Sequence, residues 1–195
     1  ADATGRFLPL ACTLNCTLAV DRIAAWLGLD REAAAQDTGV VVLPFFDGER
    51  TPNLPNAAAS VIGLRHATTP GEILLAAYRG AALSLLEALE GIDAHSSGIG
   101  RDAPLLLIGG GAQGAAWRRV VQGLSGRAVQ VPAATELVAL GAAAQAAAML
   151  TGEAPEAIAR RWDTRRGMLL DPVPRDDAAV ERIREVRSGL AALNA

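Results

Sequence analysis

The stretch Leu105-Leu106-Leu107-Ile108-Gly109-Gly110-Gly111-Ala112-Gln113-Gly114 decides how this chain is expected to fold. Its first part is continuously apolar, which is typical of a strand buried in a parallel sheet. Three glycines follow, and apolar residues at helical spacing then predict a helix from about Gly114 to Leu124. A strand, a glycine loop and a helix in this order place backbone N–H groups and a helix N-terminus where a phosphate can bind.

The same loop allows two other interpretations. Gly109 to Gly114 satisfies the dinucleotide pattern G-x-G-x-x-G, which also requires an acidic residue at the end of the next strand, about 20 residues on. That strand ends Val131-Pro132-Ala133-Ala134, and the first acid is Glu136 beyond it, which weakens the dinucleotide hypothesis. A tight turn without a ligand is the other alternative, but three consecutive glycines exceed what a turn needs.

Strands alternate with helices on both sides of the loop. Predicted strands cover residues 7–12, 40–43, 104–108 and 128–131, and predicted helices run from an Asn15 cap to Gly28, from Thr69-Pro70 through Leu89, from 114 to 124 and from 137 to 150. This order predicts an α/β fold with a mostly parallel sheet and helices on its faces. We expect one domain over residues 1–195, with a helical extension from about 151 to 195.

The composition excludes several mechanisms. The 195 residues are 51% hydrophobic and carry a formal net charge of −3, so neither nucleic acid nor an acidic membrane is an expected partner. All of the basic residues are arginines. A Walker P-loop, a protein-kinase strand lysine and a Schiff-base lysine are therefore absent from this sequence, and phosphate binding would depend on backbone amides or single arginines.

Metal and membrane sites are not predicted. Cys12 and Cys16 lack the second pair of ligands that a zinc site needs, so we expect them to be buried, reduced and structural. His66 and His95 have no acidic or cysteine neighbour that suggests a metal. The chain shows no signal peptide and no apolar run of about 20 residues, and a cytoplasmic location is expected. Ala1 in place of methionine predicts an interior position of a longer protein or a processed N-terminus.

Several motifs in order resemble one known family. They are Leu107-Ile108-Gly109-Gly110-Gly111-Ala112, Trp117-Arg118, Val129-Gln130-Val131-Pro132, Glu136-x-x-Ala139-Leu140-Gly141-Ala142-Ala143, Ala59-x-Val61-x-Gly63-Leu64 with Glu72-Ile73-x-x-Ala76-Ala77-Tyr78, and Gly48-Glu49-Arg50-Thr51-Pro52. With these motifs the chain resembles the C-terminal domain of FGGY carbohydrate kinases, and within that family it is most similar to xylulokinases.

The resemblance implies a ribonuclease-H-like domain of the actin and Hsp70 type, with a mixed sheet flanked by helices and lacking its first strands. It implies ATP or ADP as ligand and Mg²⁺ held mainly by another part of the enzyme. The implied nucleotide-binding residues are Gly109, Gly110, Gly111, Ala112, Gln113 and Ala116. The catalytic aspartate, the phosphate turn and the sugar-binding residues of the family precede the point matching Ala1, and the resemblance leaves open a homodimer.

Other polar residues are expected to have modest roles. Asp47 and Glu49 are expected to be solvated turn acids rather than a catalytic base, and Glu136 is expected to cap the helix that follows it. Arg118 and Arg119 are expected to be solvated, with bracing of the nucleotide as the alternative. The family signature carries Glu, Asp or Gln where this chain has Arg79, and Lys or Arg followed by Ser where it has Gln113-Gly114.

Small residues of the 137–150 helix have two interpretations. They would permit close packing on a partner domain, or they would belong to an ordinary core helix. For the chain as a whole, the sequence predicts the nucleotide-binding part of an ATP-dependent pentulose kinase that is inactive by itself. The alternative is a non-catalytic nucleotide-binding or interaction domain of the same fold.

Overall fold

The computed structural model describes residues 7–95 and 103–190, with the side chain of His95 outside the described part. Within these ranges the helices are α1 Thr17–Leu27, α2 Pro70–His95, α3 Ala115–Ser125, α4 Leu137–Thr151, α5 Pro155–Arg161 and α6 Asp177–Leu190. The strands are β1 Val41–Leu43, β2 Ser60–Ile62, β3 Leu105–Leu106, β4 Val129–Pro132 and β5 Gly167–Leu170. The predicted α/β class is confirmed.

The strands form two small sheets rather than one mostly parallel sheet. β1 pairs with β2 in antiparallel fashion, and the second sheet has the order β3-β4-β5. β3 is parallel to β4, whereas β5 is antiparallel to it, so this sheet is mixed. The sequence did not predict β5. Gly167, the first residue of β5, lets this strand lie close to β4, because a Cβ on Gly167 would lie 2.1 Å from the carbonyl oxygen of Val131.

The long helix α2 lies at the centre of the core and packs on α1, α3 and β1. Its start follows the predicted capping box: the Thr69 N–H donates to Glu72 Oε2 at 2.8 Å, and the Glu72 N–H donates to Thr69 Oγ1 at 3.3 Å. Gly80 allows α2 to approach β1, since a Cβ there would lie 2.1 Å from the carbonyl oxygen of Val42. The α2 side chain Tyr78 contacts Trp117 of α3, with ring centroids 6.0 Å apart.

The N-terminal segment corrects two predictions. Residues 7–12 form no strand, and Phe7, Leu8 and Leu10 are largely exposed, because no described strand pairs with them. Helix α1 ends at Gly28 in left-handed conformation, as predicted, but its N-cap is Cys16 rather than Asn15. Ala19, Val20, Ile23 and Ala24 are buried in α1, while Leu18 and Trp26 are exposed.

Helix α4 begins at the predicted residue and ends one residue beyond the predicted end, but it is not a core helix of the described residues. Only Ala144 and Ala148 are buried, and they pack on Ile158 of α5. Met149 and Leu150 are each 89% exposed. No single helix in the described ranges is both long and apolar enough to span a membrane; α4 and α5 pass such a test only together, with a bend of 116° between them.

Candidate functional site

The glycine loop leaves its backbone open on one side. Gly109 has φ +88° and ψ 175°, and residues Gly110–Gln113 form a 3-10 turn that leads into α3. A Cβ on Gly109 or Gly110 would have no neighbouring atom within 4 Å. The main chain of these two glycines is therefore accessible to a ligand, which fits a cradle for a phosphate or a ribose.

The third glycine is closed in by α1. A Cβ on Gly111 would lie 2.6 Å from Cγ2 of Thr17, the first residue of that helix. Real Cβ atoms almost never approach another atom so closely. Thr17 therefore forms one wall of the loop, and the glycine at position 111 is required by this wall.

Arg118 holds the end of the loop. Its Nη1 donates to the carbonyl oxygen of Gln113 at 2.9 Å and to that of Ala112 at 3.3 Å. The Ala112 side chain is buried beneath the turn, whereas Gln113 is exposed. Arg118 is therefore half-buried rather than fully solvated, because one nitrogen of its guanidinium group is bonded to two carbonyl oxygens of the loop.

A carboxylate already occupies the N-terminus of α3. Glu32 Oε2 accepts a hydrogen bond from the backbone N–H of Ala116 at 2.9 Å, and Oε1 would lie 3.1 Å from a Cβ on Gly114. The Ala116 side chain is fully buried. A phosphate placed at this helix end would therefore meet a negative charge, so the open backbone of Gly109 and Gly110 is the better place for one.

Tyr78 supports the turn that carries Glu32. Its hydroxyl donates to the carbonyl oxygen of Arg31 at 3.3 Å. Burial raises the pKa of Tyr78 to about 12, and the neighbouring Glu32 carboxylate adds to the rise. The phenol therefore stays protonated and keeps its role as a donor at physiological pH.

Glu49 is buried, which corrects the prediction of a solvated turn acid. Only 2% of this residue is exposed, although no turn pattern in the sequence indicates burial. Its carboxylate accepts hydrogen bonds from the backbone N–H groups of Leu14, Asn15 and Arg50 and from Asn15 Nδ2. Asp47, two residues earlier, is exposed with φ +56°, as expected for a turn acid.

Other predicted roles were only partly right. Glu136 occupies the N-cap position of α4, but its side chain makes no capping hydrogen bond. Cys12 is exposed and Cys16 is half-buried, and both are free thiols. Burial raises the pKa of the Cys16 thiol, and the nearby Glu49 carboxylate contributes to the rise. Among the residues that the structure describes, no group of three or more His, Cys, Asp and Glu side chains could hold a metal ion.

Arg79, which departs from the family signature, has acidic partners in this fold. Its Nη2 lies 2.9 Å from Asp176 Oδ2, and its Nη1 lies 3.3 Å from Asp37 Oδ1. The side chain is only 13% exposed. Arg79 therefore joins α2 to the segment before α6 and lies in a structural ion-pair cluster.

The sequence does not predict the observed contacts of four residues of the site: Thr17, Glu32, Glu49 and Arg118. For Glu49 there was a signal, because Gly48-Glu49-Arg50-Thr51-Pro52 is a dense motif with more specific residues than a simple turn uses. A Cβ on Gly48 would lie 2.4 Å from the carbonyl oxygen of Pro55, so this motif forms a tightly folded loop. The contacts of Thr17 and Glu32 join distant parts of the chain and leave no local pattern.

Comparisons with known proteins agree with this arrangement. Residues 17–150 match the C-terminal domain of the FGGY family of carbohydrate kinases. The chain is 61% identical over 196 aligned positions to xylulose kinases of Streptomyces rubiginosus and Streptomyces coelicolor, with 99% of this chain and 40% of each relative covered. The crystal structure of xylulose kinase from Bifidobacterium adolescentis superimposes with a TM-score of 0.74 at 36% identity, covering 96% of this chain and 37% of that one.

These similarities also settle the type of fold. Xylulose kinases from Bifidobacterium adolescentis and Rhodospirillum rubrum and the glycerol kinase of Plasmodium falciparum superimpose on the chain, which confirms the actin- and Hsp70-like α/β domain. The chain spans about 40% of the length of the curated relatives it matches. Since the family match covers most of the described core, the chain belongs to the FGGY family of carbohydrate kinases and contains that family's C-terminal domain.

Proposed function

We propose that this chain is the nucleotide-binding part of an ATP-dependent pentulose kinase that converts D-xylulose to D-xylulose 5-phosphate. The support is the identity to proteins named xylulose kinase, which extends over 99% of the chain. The sugar, the catalytic aspartate and most Mg²⁺ contacts belong, in this proposal, to the rest of the enzyme. We place the reaction in the cytoplasm, where the ATP pool is available to a sugar kinase.

The observation that carries the proposal is the open backbone of Gly109 and Gly110. A ligand can reach these main-chain atoms directly, while Thr17 closes the loop on one side and Glu32 closes the end of α3. In the proposed complex the backbone of Gly109 to Ala112 contacts ribose and α-phosphate, and the base lies beside the exposed Gln113. The side chain of Ala116 is buried in the core and makes no direct contact in this complex.

Phosphoryl transfer also limits what this part does alone. The reaction needs a base at the sugar hydroxyl, an in-line γ-phosphate and a metal ion that neutralises the phosphate charge. The residues proposed for the nucleotide supply backbone contacts and no cluster of carboxylates. We therefore expect this part to bind ATP and ADP with similar, weak affinity, because the γ-phosphate and Mg²⁺ are held mainly elsewhere.

Gly110→Ala tests the proposal with little risk to the fold. The new methyl group enters free space and a backbone that accepts alanine, so we expect an unchanged melting temperature. It also enters the space where the nucleotide would lie, so we expect ATP and ADP affinity to fall about tenfold, or roughly 1.4 kcal/mol. Calorimetric titration of ATP, ADP and NAD measures this.

A matched control is Gly123→Ala, which adds the same methyl group in α3, where nothing lies within 4 Å. This variant should bind nucleotide like the wild type. Tighter binding of NAD than of ATP, or unchanged ATP binding by folded Gly110→Ala, would contradict the proposed site.

A further inference from the structure

Glu49 is a buried carboxylate whose charge is balanced by N–H donors. Oε1 accepts from the backbone N–H groups of Leu14 at 2.6 Å and Arg50 at 2.8 Å. Oε2 accepts from Asn15 N at 3.1 Å and from Asn15 Nδ2 at 3.2 Å. Burying a carboxylate is costly unless its oxygens are satisfied, so four donors are needed to keep this group in the interior.

The donors come mainly from the segment that leads into α1. Leu14 and Asn15 are separated from Glu49 by more than thirty positions in the sequence. Asn15 Nδ2 also donates to the carbonyl oxygen of Gly48 at 2.7 Å, which adds a second tie between the segment and the loop. The start of α1 is thus held by a side chain from the Gly48–Pro52 loop, since the N-cap residue Cys16 gives no side-chain cap.

The segment that is hydrogen-bonded to Glu49 lies close in sequence to the residue that closes the glycine loop. Asn15 is followed by Cys16 and then by Thr17, whose Cγ2 closes the space at Gly111. A shift of the segment by an ångström would move the Thr17 wall by a similar amount. Hydrogen bonds to Glu49 therefore contribute to the position of that wall, although Glu49 makes no direct contact to the glycine loop among the described interactions.

We propose that Glu49 is a positioning residue of the nucleotide site, which fixes the start of α1 so that Thr17 holds the glycine loop in its open form. The inference rests on the proposed function for the identity of the ligand. Glu49 touches neither nucleotide nor sugar in this scheme. Its role is exerted through Leu14, Asn15 and Thr17.

Glu49→Gln tests the inference because the substitution keeps the size of the side chain. An amide presents an NH₂ group to two of the four donors, so at least two hydrogen bonds are lost. We expect ATP and ADP affinity of the 195-residue chain to fall about tenfold. The control is Asp47→Asn, which removes an exposed acid from the same loop and should bind ATP like the wild type.

A double-mutant cycle separates positioning from general destabilisation. Glu49→Gln loosens the Thr17 wall. The loss of ATP affinity caused by Gly111→Ala should therefore be at least threefold smaller in the Glu49→Gln background than in the wild type. A merely structural role predicts that the two losses multiply. If Glu49→Gln does not fold, Asn15→Ala replaces it in the cycle with the same expected sign. This substitution removes the Nδ2 hydrogen bonds to Glu49 and to the carbonyl oxygen of Gly48 but keeps the backbone donors.

The outcomes distinguish the two hypotheses. A wild-type chain that binds neither ATP nor ADP overturns the proposed function and this inference with it. Normal binding by the wild type, with equal affinity in folded Glu49→Gln or with multiplying losses in the cycle, overturns only the positioning role. Reduced affinity together with non-multiplying losses supports it.

Discussion

Gly111→Ala is expected to damage the protein through one identified contact. The added Cβ would lie 2.6 Å from Thr17 Cγ2. Carbon atoms in contact prefer roughly 3.5–4.0 Å, so the loop or α1 must move by about 1 Å. Overpacking of this kind costs about 1–3 kcal/mol. The backbone itself accepts alanine at this position, because Gly111 lies in the 3-10 turn and has no positive φ.

Thr17→Ser should rescue this variant. Serine lacks Cγ2, and the next atoms of residue 17 would lie 3.7 and 3.8 Å from the new Cβ, which is ordinary contact. Thr17→Ser alone loses one methyl group and should cost about 0.8 kcal/mol or less. The double variant Gly111→Ala with Thr17→Ser is therefore expected to be more stable than Gly111→Ala alone, although it carries one more substitution.

Thermal unfolding followed by circular dichroism measures the effect. For a domain of this size 1 kcal/mol corresponds to roughly 2–4 °C, so Gly111→Ala should lower the melting temperature by about 2–12 °C. Most of that loss should return in the double variant. A melting temperature of Gly111→Ala equal to the wild type, or no recovery on adding Thr17→Ser, would refute the role of Thr17 as the wall.

Four further predictions concern other parts of the protein. Gly109→Ala places a side chain in a conformation that is nearly restricted to glycine, so urea unfolding should show a loss of about 1–3 kcal/mol, and no loss would exclude the positive φ. Arg79→Gln removes a charged hydrogen bond to Asp176 and should lower the free energy of unfolding by about 1–3 kcal/mol; Asp176→Asn should not add a further loss of that size. Burial alone would raise the pKa of Glu87, but hydrogen bonds from two arginines of α6 hold this pKa below its usual value. The stabilisation from the ionised Glu87 is therefore present at neutral pH and is lost as the pH falls below about 4.5. Glu87→Gln should lower the stability at pH 7 and weaken this acid dependence, and an unchanged acid dependence would contradict the assignment. The chain alone should not phosphorylate D-xylulose with ATP and Mg²⁺, and turnover that survives rigorous purification would show otherwise.

Elements with local patterns could be predicted from the sequence. Helix α3 was placed within one residue at each end, and its apolar stripe is the buried stripe. The capping box at Thr69 fixed the start of α2 because its donors and acceptors are three residues apart. Strand β5 and the failed strand at residues 7–12 show the opposite case, since whether a short segment pairs depends on partners elsewhere in the chain.

The residues of the candidate site also differ in how well the sequence predicts them. The glycines of the loop could be predicted because a strand, a loop and a helix follow one another. The residues around the loop could not, because Thr17, Glu32 and Glu49 come from segments far away in sequence. Each is polar and lies in or next to a turn, where a sequence pattern predicts solvation. Only the tertiary structure shows that Glu49 is buried with four donors and that Glu32 closes the end of α3.

The three adjacent glycines are therefore not equivalent. Gly109 is required by a backbone conformation, Gly111 by the Thr17 methyl group, and Gly110 by neither, since its φ is ordinary and its Cβ position is free. From sequence alone, Gly111→Val is expected to weaken nucleotide binding while the fold survives. The structure reassigns that test, because a side chain at 111 meets Thr17 before it meets any ligand. Gly110 is the one of the three whose lack of a side chain the fold itself does not explain, so the proposed nucleotide site assigns it a reason for glycine that the fold does not supply.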